Sequence, residues 1–191
     1  MRNIADPLAA EPLSLSGTGR AWPSVEERSQ AIIAALEEIR PDMILTIPSS
    51  TLKHVLAAFE GRADIPVVPL TREEEGIGIA AGMVLGGGRP VLVIQDNGLG
   101  NSLTALATFP QAYHIPLLIL VSQRGGLGEY NSMIHTFCEH VEDIVRAAGL
   151  RAFSLDGRIP AEQWRTAIVK AFEYAQITHR PVLVLCNLMG F

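Results

Sequence analysis

Short, mostly apolar runs alternate with longer segments of helical periodicity along most of the chain. The apolar runs are 43–47, 65–69, 91–94, 117–121, 152–155 and 182–185, and the helical segments between them are 51–60, 72–86, 101–112, 135–148 and 160–176. Runs that are apolar throughout are typical of parallel strands covered on both faces, whereas half-exposed strands alternate. The order therefore predicts an α/β fold with a doubly wound, mostly parallel six-stranded sheet flanked by helices.

The chain divides into a short arm and one domain. Residues 1–23 contain three prolines and two glycines without apolar periodicity, which predicts a flexible N-terminal arm. Ser24 and Glu27 then form a capping-box pattern before a helical apolar repeat. Because the remaining length suits one hydrophobic core, we predict a single domain over residues 24–191.

Composition excludes several classes of protein. With 48% hydrophobic and 18% charged residues the chain is not disordered, and its net charge of −5 without a basic cluster argues against nucleic acid as a partner. No apolar run reaches the roughly 18 residues of a membrane span. Cys138 and Cys186 form no C-x-x-C pair, so we expect a reducing cytoplasm. The small share of charged residues favours an oligomer, in which a partner covers part of the surface.

The segment 71–82 follows an apolar run and opens a helix rich in glutamate and glycine. Thr71 and Glu74 have the spacing of a second capping box, and acidic residues in a first turn stabilise the helix dipole. These roles leave the glycines unexplained, because each costs about 1 kcal/mol relative to alanine within a helix. The cost predicts that a ligand ring or a partner helix approaches closely at Gly76, Gly78 and Gly82.

A second glycine-rich segment, 97–101, follows the next apolar run and precedes a helix predicted to begin near Ser102. Gly98 and Gly100 match two glycines of a dinucleotide-binding fingerprint, whereas the third position is Leu103. The segment therefore leaves two hypotheses open. One is a tight turn before a helix, and the other is an NADP-binding oxidoreductase domain.

Other candidate ligands lie at predicted strand ends, where open α/β sheets bind small molecules. Ser49, Ser50 and Thr51 either cap the next helix or bind a carboxylate or sulfonate. Arg124 lies among glycines and is either an anion clamp or half of an interface ion pair. His135 and His140 are five residues apart, on different faces of a helix, so we predict no metal site within this chain.

The segments 72–82 and 95–101 together resemble the pyrimidine-binding domain of thiamine diphosphate enzymes, and within that family the sulfopyruvate and phosphonopyruvate decarboxylases. The similarity continues through 115–118 and 122–125 and covers about residues 25–186. It implies a decarboxylase of small 2-oxo acids, with sulfopyruvate first and phosphonopyruvate as the alternative. A non-catalytic subunit with the same fold remains a further hypothesis.

The resemblance also implies roles for single residues. Counting back nine residues from Gly82 gives Glu73 as the catalytic glutamate that contacts N1′ of the cofactor. Implied cofactor-binding residues are Glu73, Gly76, Gly98, Gly100 and Asn101, and implied substrate-binding residues are Ser49, Ser50, Thr51, Asn97 and Arg124. This chain has Asp96-Asn97 where relatives more often carry Asn-Ser, so we expect the loop on the substrate side to differ from theirs.

The Gly-Asp-Gly and Asn-Asn motif that binds magnesium and diphosphate in the family is not found in this sequence. The resemblance therefore implies a separate diphosphate-binding beta subunit that supplies the Mg²⁺ ligands. It further implies a hetero-oligomer with shared active sites.

Overall fold

A wholly parallel six-stranded sheet forms the centre of the computed structural model, which describes residues 24–127 and 129–189. The strands are β1 (Met43–Thr46), β2 (Val67–Pro69), β3 (Pro90–Gln95), β4 (Leu117–Ser122), β5 (Arg151–Leu155) and β6 (Pro181–Cys186). Their order across the sheet is β2-β1-β3-β4-β6-β5, and each neighbouring pair is parallel. The predicted fold class is confirmed. The predicted arm over residues 1–23 lies outside the described residues.

Helices cover both faces of this sheet. They are α1 (Val25–Ile39), α2 (Lys53–Ala57), α3 (Glu73–Leu85), α4 (Asp96–Thr108), α5 (Ser132–Cys138), α6 (Val141–Ala147) and α7 (Ala161–Thr178). Helices α1, α2 and α7 pack on one face, and α3, α4 and α6 pack on the other. Within β3, Val91 and Val93 enter the first core while Leu92 and Ile94 enter the second. Burial on both faces explains why the strands are apolar at successive positions.

Two predicted features of the helices can be compared directly with the structure. The capping box of α1 is confirmed: the Ser24 hydroxyl accepts the Glu27 amide at 3.1 Å, and the Glu27 carboxylate accepts the Ser24 amide at 2.7 Å. The single helix predicted over 135–148 is wrong, because α5 and α6 are separate. At the break, the His140 amide donates to the Phe137 carbonyl in a tighter, three-residue turn.

The helices that follow β1 and β3 do not begin where their sequence pattern predicts: α2 begins two residues later and α4 several residues earlier. After β1, a 3₁₀ turn over Ser50–Leu52 leads into α2. After β3, helix α4 begins at Asp96 with no intervening loop, so the glycines of 97–101 lie inside its first turns. Strands β1, β3 and β4 are neighbours, and the segments that leave their carboxyl ends therefore meet at one edge of the sheet. Across the described ranges, no helix has the length and apolarity needed to cross a membrane.

Candidate functional site

The first residue of α3, Glu73, lies against the first turn of α4. A Cβ atom built on Gly98 would overlap the Glu73 carboxyl group, so only glycine at position 98 leaves room for it. The Glu73 side chain is half-buried, and within residues 24–127 and 129–189 its oxygens have no hydrogen-bond partner. The contact between α3 and α4 thus holds a carboxyl group whose oxygens are free to bind a ligand.

The two glutamates after Glu73 have partners of their own. The Arg72 guanidinium donates to Glu74 at 2.5 Å, and this bond lowers the pKa of the Glu74 carboxyl. Glu75 accepts the Thr71 amide at 3.0 Å. The predicted capping box between Thr71 and Glu74 is wrong, because Arg72 occupies the N-cap position and Glu75, one residue later, reaches Thr71. Only one oxygen of Glu74 is used in this way, because its Oε2 is buried and has no hydrogen-bond partner in the described part of the chain. Glu73 is the member of this acidic turn that has neither oxygen bonded.

The glycines of α3 and α4 lie in two kinds of surroundings. Gly76 is buried against Leu70, whose side chain would overlap a Cβ there, and a Cβ on Gly100 would lie 3.0 Å from the Phe137 ring. The size limit at these two positions is thus set by side chains of this chain. By contrast, Gly78 and Gly82 face open space, with Ile79 exposed beside them. At Gly76, the close approach predicted from the glycines is made by a side chain of this chain. At Gly78 and Gly82, no described residue makes it, and both positions face the surface.

Hydroxyl groups after β1 connect that strand to its neighbours. The Ser49 hydroxyl donates to Gln95 Oε1 at 2.8 Å, and Thr51 shares a hydrogen bond of 2.7 Å with Ser122. Ser50 lies 3.3 Å from the Tyr130 hydroxyl. The capping role considered for the serines is wrong, since no side-chain cap is present at the start of the 3₁₀ turn or of α2. Sequence reasoning includes Gln95 in the segment 95–101 but assigns it no role of its own, although a polar side chain at the end of an apolar strand is a signal for one.

Arg124, after β4, has a buried carboxylate partner in its own loop. Its Nε and Nη2 atoms each donate to Glu129 at 2.6 Å, and its guanidinium stacks on the Tyr130 ring with 5.3 Å from the guanidinium carbon to the ring centroid. Only 4% of the Arg124 side chain and 2% of the Glu129 side chain are exposed. The third nitrogen, Nη1, donates to Gln95 at 3.3 Å. Of the two alternatives for Arg124, the structure shows an ion pair, and that pair is internal.

Asp96 connects the start of α4 with the loop that follows β4. Its Oδ1 accepts the Asn97 amide at 2.9 Å, and its Oδ2 accepts the Arg124 amide at 2.6 Å. The carboxyl is fully buried, and this burial raises its pKa, although hydrogen bonds from the Cys138 thiol and these amides act in the opposite direction. Asn97 itself is exposed. Because Asp96 is two residues before Gly98, the Glu73 contact and the Arg124 loop belong to one connected arrangement.

Two clefts in the described part of the chain lie away from this region. An apolar cleft of about 400 Å³ lies between β5 and α7, lined by residues that include Phe153 and Tyr174. A smaller, more polar one lies on the other side of β5. Strand β5 is at the edge of the sheet, separated from β3 by β4 and β6. We place the candidate site at the ends of β1, β3 and β4, because reactive and ligand-binding groups converge there.

Comparisons with known proteins show which family the chain is similar to. Residues 27–143 match the family described as thiamine pyrophosphate enzyme, N-terminal TPP binding domain. The sulfopyruvate decarboxylase subunit alpha of Methanothermobacter thermautotrophicus is 33% identical over 84% of this chain and 96% of its own length. That of Methanococcus maripaludis is 42% identical over 53% of this chain and 60% of its own. A phosphonopyruvate decarboxylase of Streptomyces viridochromogenes is 27% identical over 54% of this chain, and this match covers 26% of the relative.

Proposed function

The chain belongs to the thiamine pyrophosphate enzyme family, in which it is an N-terminal TPP binding domain, and from that premise we propose that it is the alpha subunit of a sulfopyruvate decarboxylase. The reaction would convert sulfopyruvate to sulfoacetaldehyde and carbon dioxide. The more distant phosphonopyruvate decarboxylases make phosphonopyruvate the second candidate substrate.

One observation carries the proposal: the Glu73 carboxyl lies on Gly98 and has no partner within the described ranges. A half-buried carboxyl with free oxygens suits a ring nitrogen of the cofactor's pyrimidine, since the two can share one proton. The residues present therefore fit the pyrimidine end of thiamine diphosphate. We propose that Glu73, the Gly98 backbone and Asn101 hold this end, while Gly76 and Gly100 act through packing.

Bound thiamine diphosphate supplies a carbon nucleophile and an electron sink for the loss of carbon dioxide from a 2-oxo acid. Glu73 would hold or move the proton at its carboxyl oxygen, and Gly98 would fix the position of that oxygen. Precise placement of a proton-transferring group contributes roughly 10²- to 10⁴-fold to such reactions. Ser49, Ser50 and Asn97 would bind the anionic groups of the substrate. Thr51 is buried in its bond to Ser122 and would position this segment from behind.

The remaining parts of the active site would come from a partner. No three side chains of the metal-binding types come together in the described part of the chain, so we propose that the Mg²⁺ and diphosphate ligands lie on a beta subunit. The open face of α3, formed by Gly78, Ile79 and Gly82, is a suitable docking surface because small residues allow close helix packing. This face lies on the helix that begins with Glu73, which fits a shared site between the two subunits.

The dinucleotide-binding alternative has less support. A dinucleotide fingerprint needs a loop whose amides face the pyrophosphate, whereas Gly98 and Gly100 lie within α4. In addition, the carboxyl group of Glu73 covers Gly98 and would repel a phosphate there.

The proposal is tested by purifying the tagged full chain gently from its own host and examining it by native mass spectrometry. We expect a second polypeptide and the mass of thiamine diphosphate, and the purified complex should release carbon dioxide from sulfopyruvate. A chain that comes out alone and without cofactor, or a complex that does not act on 2-oxo acids, would contradict the proposal.

A further inference from the structure

The buried cation nearest the candidate substrate groups is already neutralised. The Arg124 side chain is 4% exposed and the Glu129 side chain 2%, and both bonds between them are 2.6 Å long. Such a two-pronged pair between a guanidinium and a carboxylate is strong and geometrically fixed. The pair therefore offers the site a directed hydrogen-bond donor but little net positive charge.

Further contacts hold Glu129 in place. Its Oε1 also accepts the Asn131 amide at 2.8 Å, so the carboxylate is bound by its loop as well as by Arg124. Nε and Nη2 of Arg124 are both used by Glu129, which leaves Nη1 directed at Gln95. Because Gln95 also accepts the Ser49 hydroxyl, the pair lies directly behind the proposed substrate groups.

We propose that Glu129 is a specificity-determining residue that favours a singly charged sulfonate over a doubly charged phosphonate at this site. The inference rests on the proposed function and deepens it. Glu129 acts through Arg124, which it holds in place and neutralises, and is therefore a positioning residue.

The physical reason lies in how desolvation depends on charge. The cost of removing an ion from water grows steeply with its charge, and a buried site repays this cost only if it provides an opposing charge. A sulfonate carries one negative charge at neutral pH and above. A phosphonate loses its second proton at higher pH than a phosphate ester, because carbon withdraws fewer electrons than oxygen, so its charge exceeds one at the mildly alkaline pH of the assay. A free arginine would attract the second charge, but an arginine paired with Glu129 gives it almost no compensation.

Glu129→Gln is the variant that tests this, since it keeps the shape of the side chain and removes the negative charge. The matched control is Glu139→Gln, the same change in a carboxylate that is 52% exposed and pairs with His135. The complex with the partner subunit would be assayed at one pH with sulfopyruvate and phosphonopyruvate. Binding would be measured with 3-sulfopropionate and 3-phosphonopropionate, which lack the keto group and serve as competitive inhibitors.

We expect wild-type complex to bind 3-sulfopropionate at least about tenfold more tightly than 3-phosphonopropionate at pH 8. Glu129→Gln should reduce this ratio by about tenfold and move the ratio of kcat/KM values toward phosphonopyruvate. Glu139→Gln should leave both ratios unchanged.

If Glu129→Gln leaves the ratio of sulfonate to phosphonate binding unchanged, the inference is overturned. The proposed function is tested separately, and decarboxylation of sulfopyruvate by the wild type upholds it. If Glu129→Gln does not assemble with the partner, binding to the wild-type complex still tests the inference. Binding of 3-phosphonopropionate as tightly as 3-sulfopropionate, or more tightly, overturns it. Turnover of neither acid by the wild type would contradict the proposed function itself.

Discussion

The Glu73 carboxyl group lies directly on the backbone of Gly98, in space that any other side chain at position 98 would fill. The two residues come from the first turns of α3 and α4, which pack against each other on one face of the sheet. The position of the proposed catalytic group is thus fixed by a glycine in the neighbouring helix, 25 positions further along the sequence.

Gly98→Ala should destabilise the chain because the new methyl group overlaps Glu73. We expect a loss of about 2 kcal/mol in the free energy of unfolding, the usual size of an overpacking penalty. Glu73→Ala removes the clashing carboxyl, so adding Gly98→Ala to that variant should cost much less. Urea unfolding of the wild type, both single variants and the double variant gives the coupling free energy directly. Additive effects would show that the two side chains do not meet.

Glu73→Gln should leave the fold and the assembly intact while lowering kcat. The amide keeps the shape of the carboxyl but cannot take up and return a proton, so the rate should fall by roughly 10²- to 10⁴-fold. The control is Glu75→Gln, where the amide oxygen can still accept the Thr71 amide. Carbon dioxide release and native mass spectrometry would be measured on the same preparations. A Glu73→Gln complex with wild-type kcat would favour the hypothesis of a non-catalytic subunit.

The sequence predicts the sheet better than it predicts the site. Strand positions follow from runs of residues buried on both faces, and this signal is local, so all six strands lie where the apolar runs predict them. The start of α4 was missed because its glycines are typical of a turn, whereas Gly98 and Gly100 are required by the non-local neighbours Glu73 and Phe137.

The hydrogen-bond partners of Asp96 and Arg124 could not be predicted from the local sequence either. Nothing in the local pattern indicates that Asp96 accepts the Arg124 amide across 28 residues, or that Glu129 neutralises Arg124. Spacing within a loop does not specify which charged side chains will be buried together, because that depends on how the loop folds back on the sheet. The sequence therefore predicts which residue types gather at the strand ends but not how they pair.

Asp96 should make stability depend on pH in an unusual direction. Burial raises its pKa above the ordinary value of 3.8, so between these two values the folded chain binds more protons than the unfolded chain. Its contribution to stability is then fully present below pH 3.8 and is lost as the pH rises through the raised pKa. The difference in unfolding free energy between the wild type and Asp96→Asn should therefore decrease with rising pH in this window. A difference that increases would show that the hydrogen bonds outweigh burial.

Asp64 supplies the opposite case for comparison. Its hydrogen bonds with Arg62 lower the pKa of this exposed carboxyl to about 2, so its contribution is present above the ordinary value of 3.8 and is lost as the pH falls toward 2. The difference in unfolding free energy between the wild type and Asp64→Asn should increase as the pH rises from about 2 to 3.8. Urea unfolding of the three proteins at several pH values measures both slopes, and slopes of the same sign would contradict the assignment.

The open face of α3 should be needed for assembly and not for folding. Gly78 and Gly82 are exposed, and a Cβ added at either meets no atom within 4 Å. Leucine there replaces a residue that costs about 1 kcal/mol in a helix, so the variant should unfold no more easily than the wild type. Bound to a partner helix, the same leucine would prevent close packing. The control is Gln176→Leu, which places a leucine at an exposed position of α7, on the opposite face of the sheet. Native mass spectrometry should show the partner retained by Gln176→Leu and lost from Gly78→Leu, whereas retention by both would place the partner on another surface.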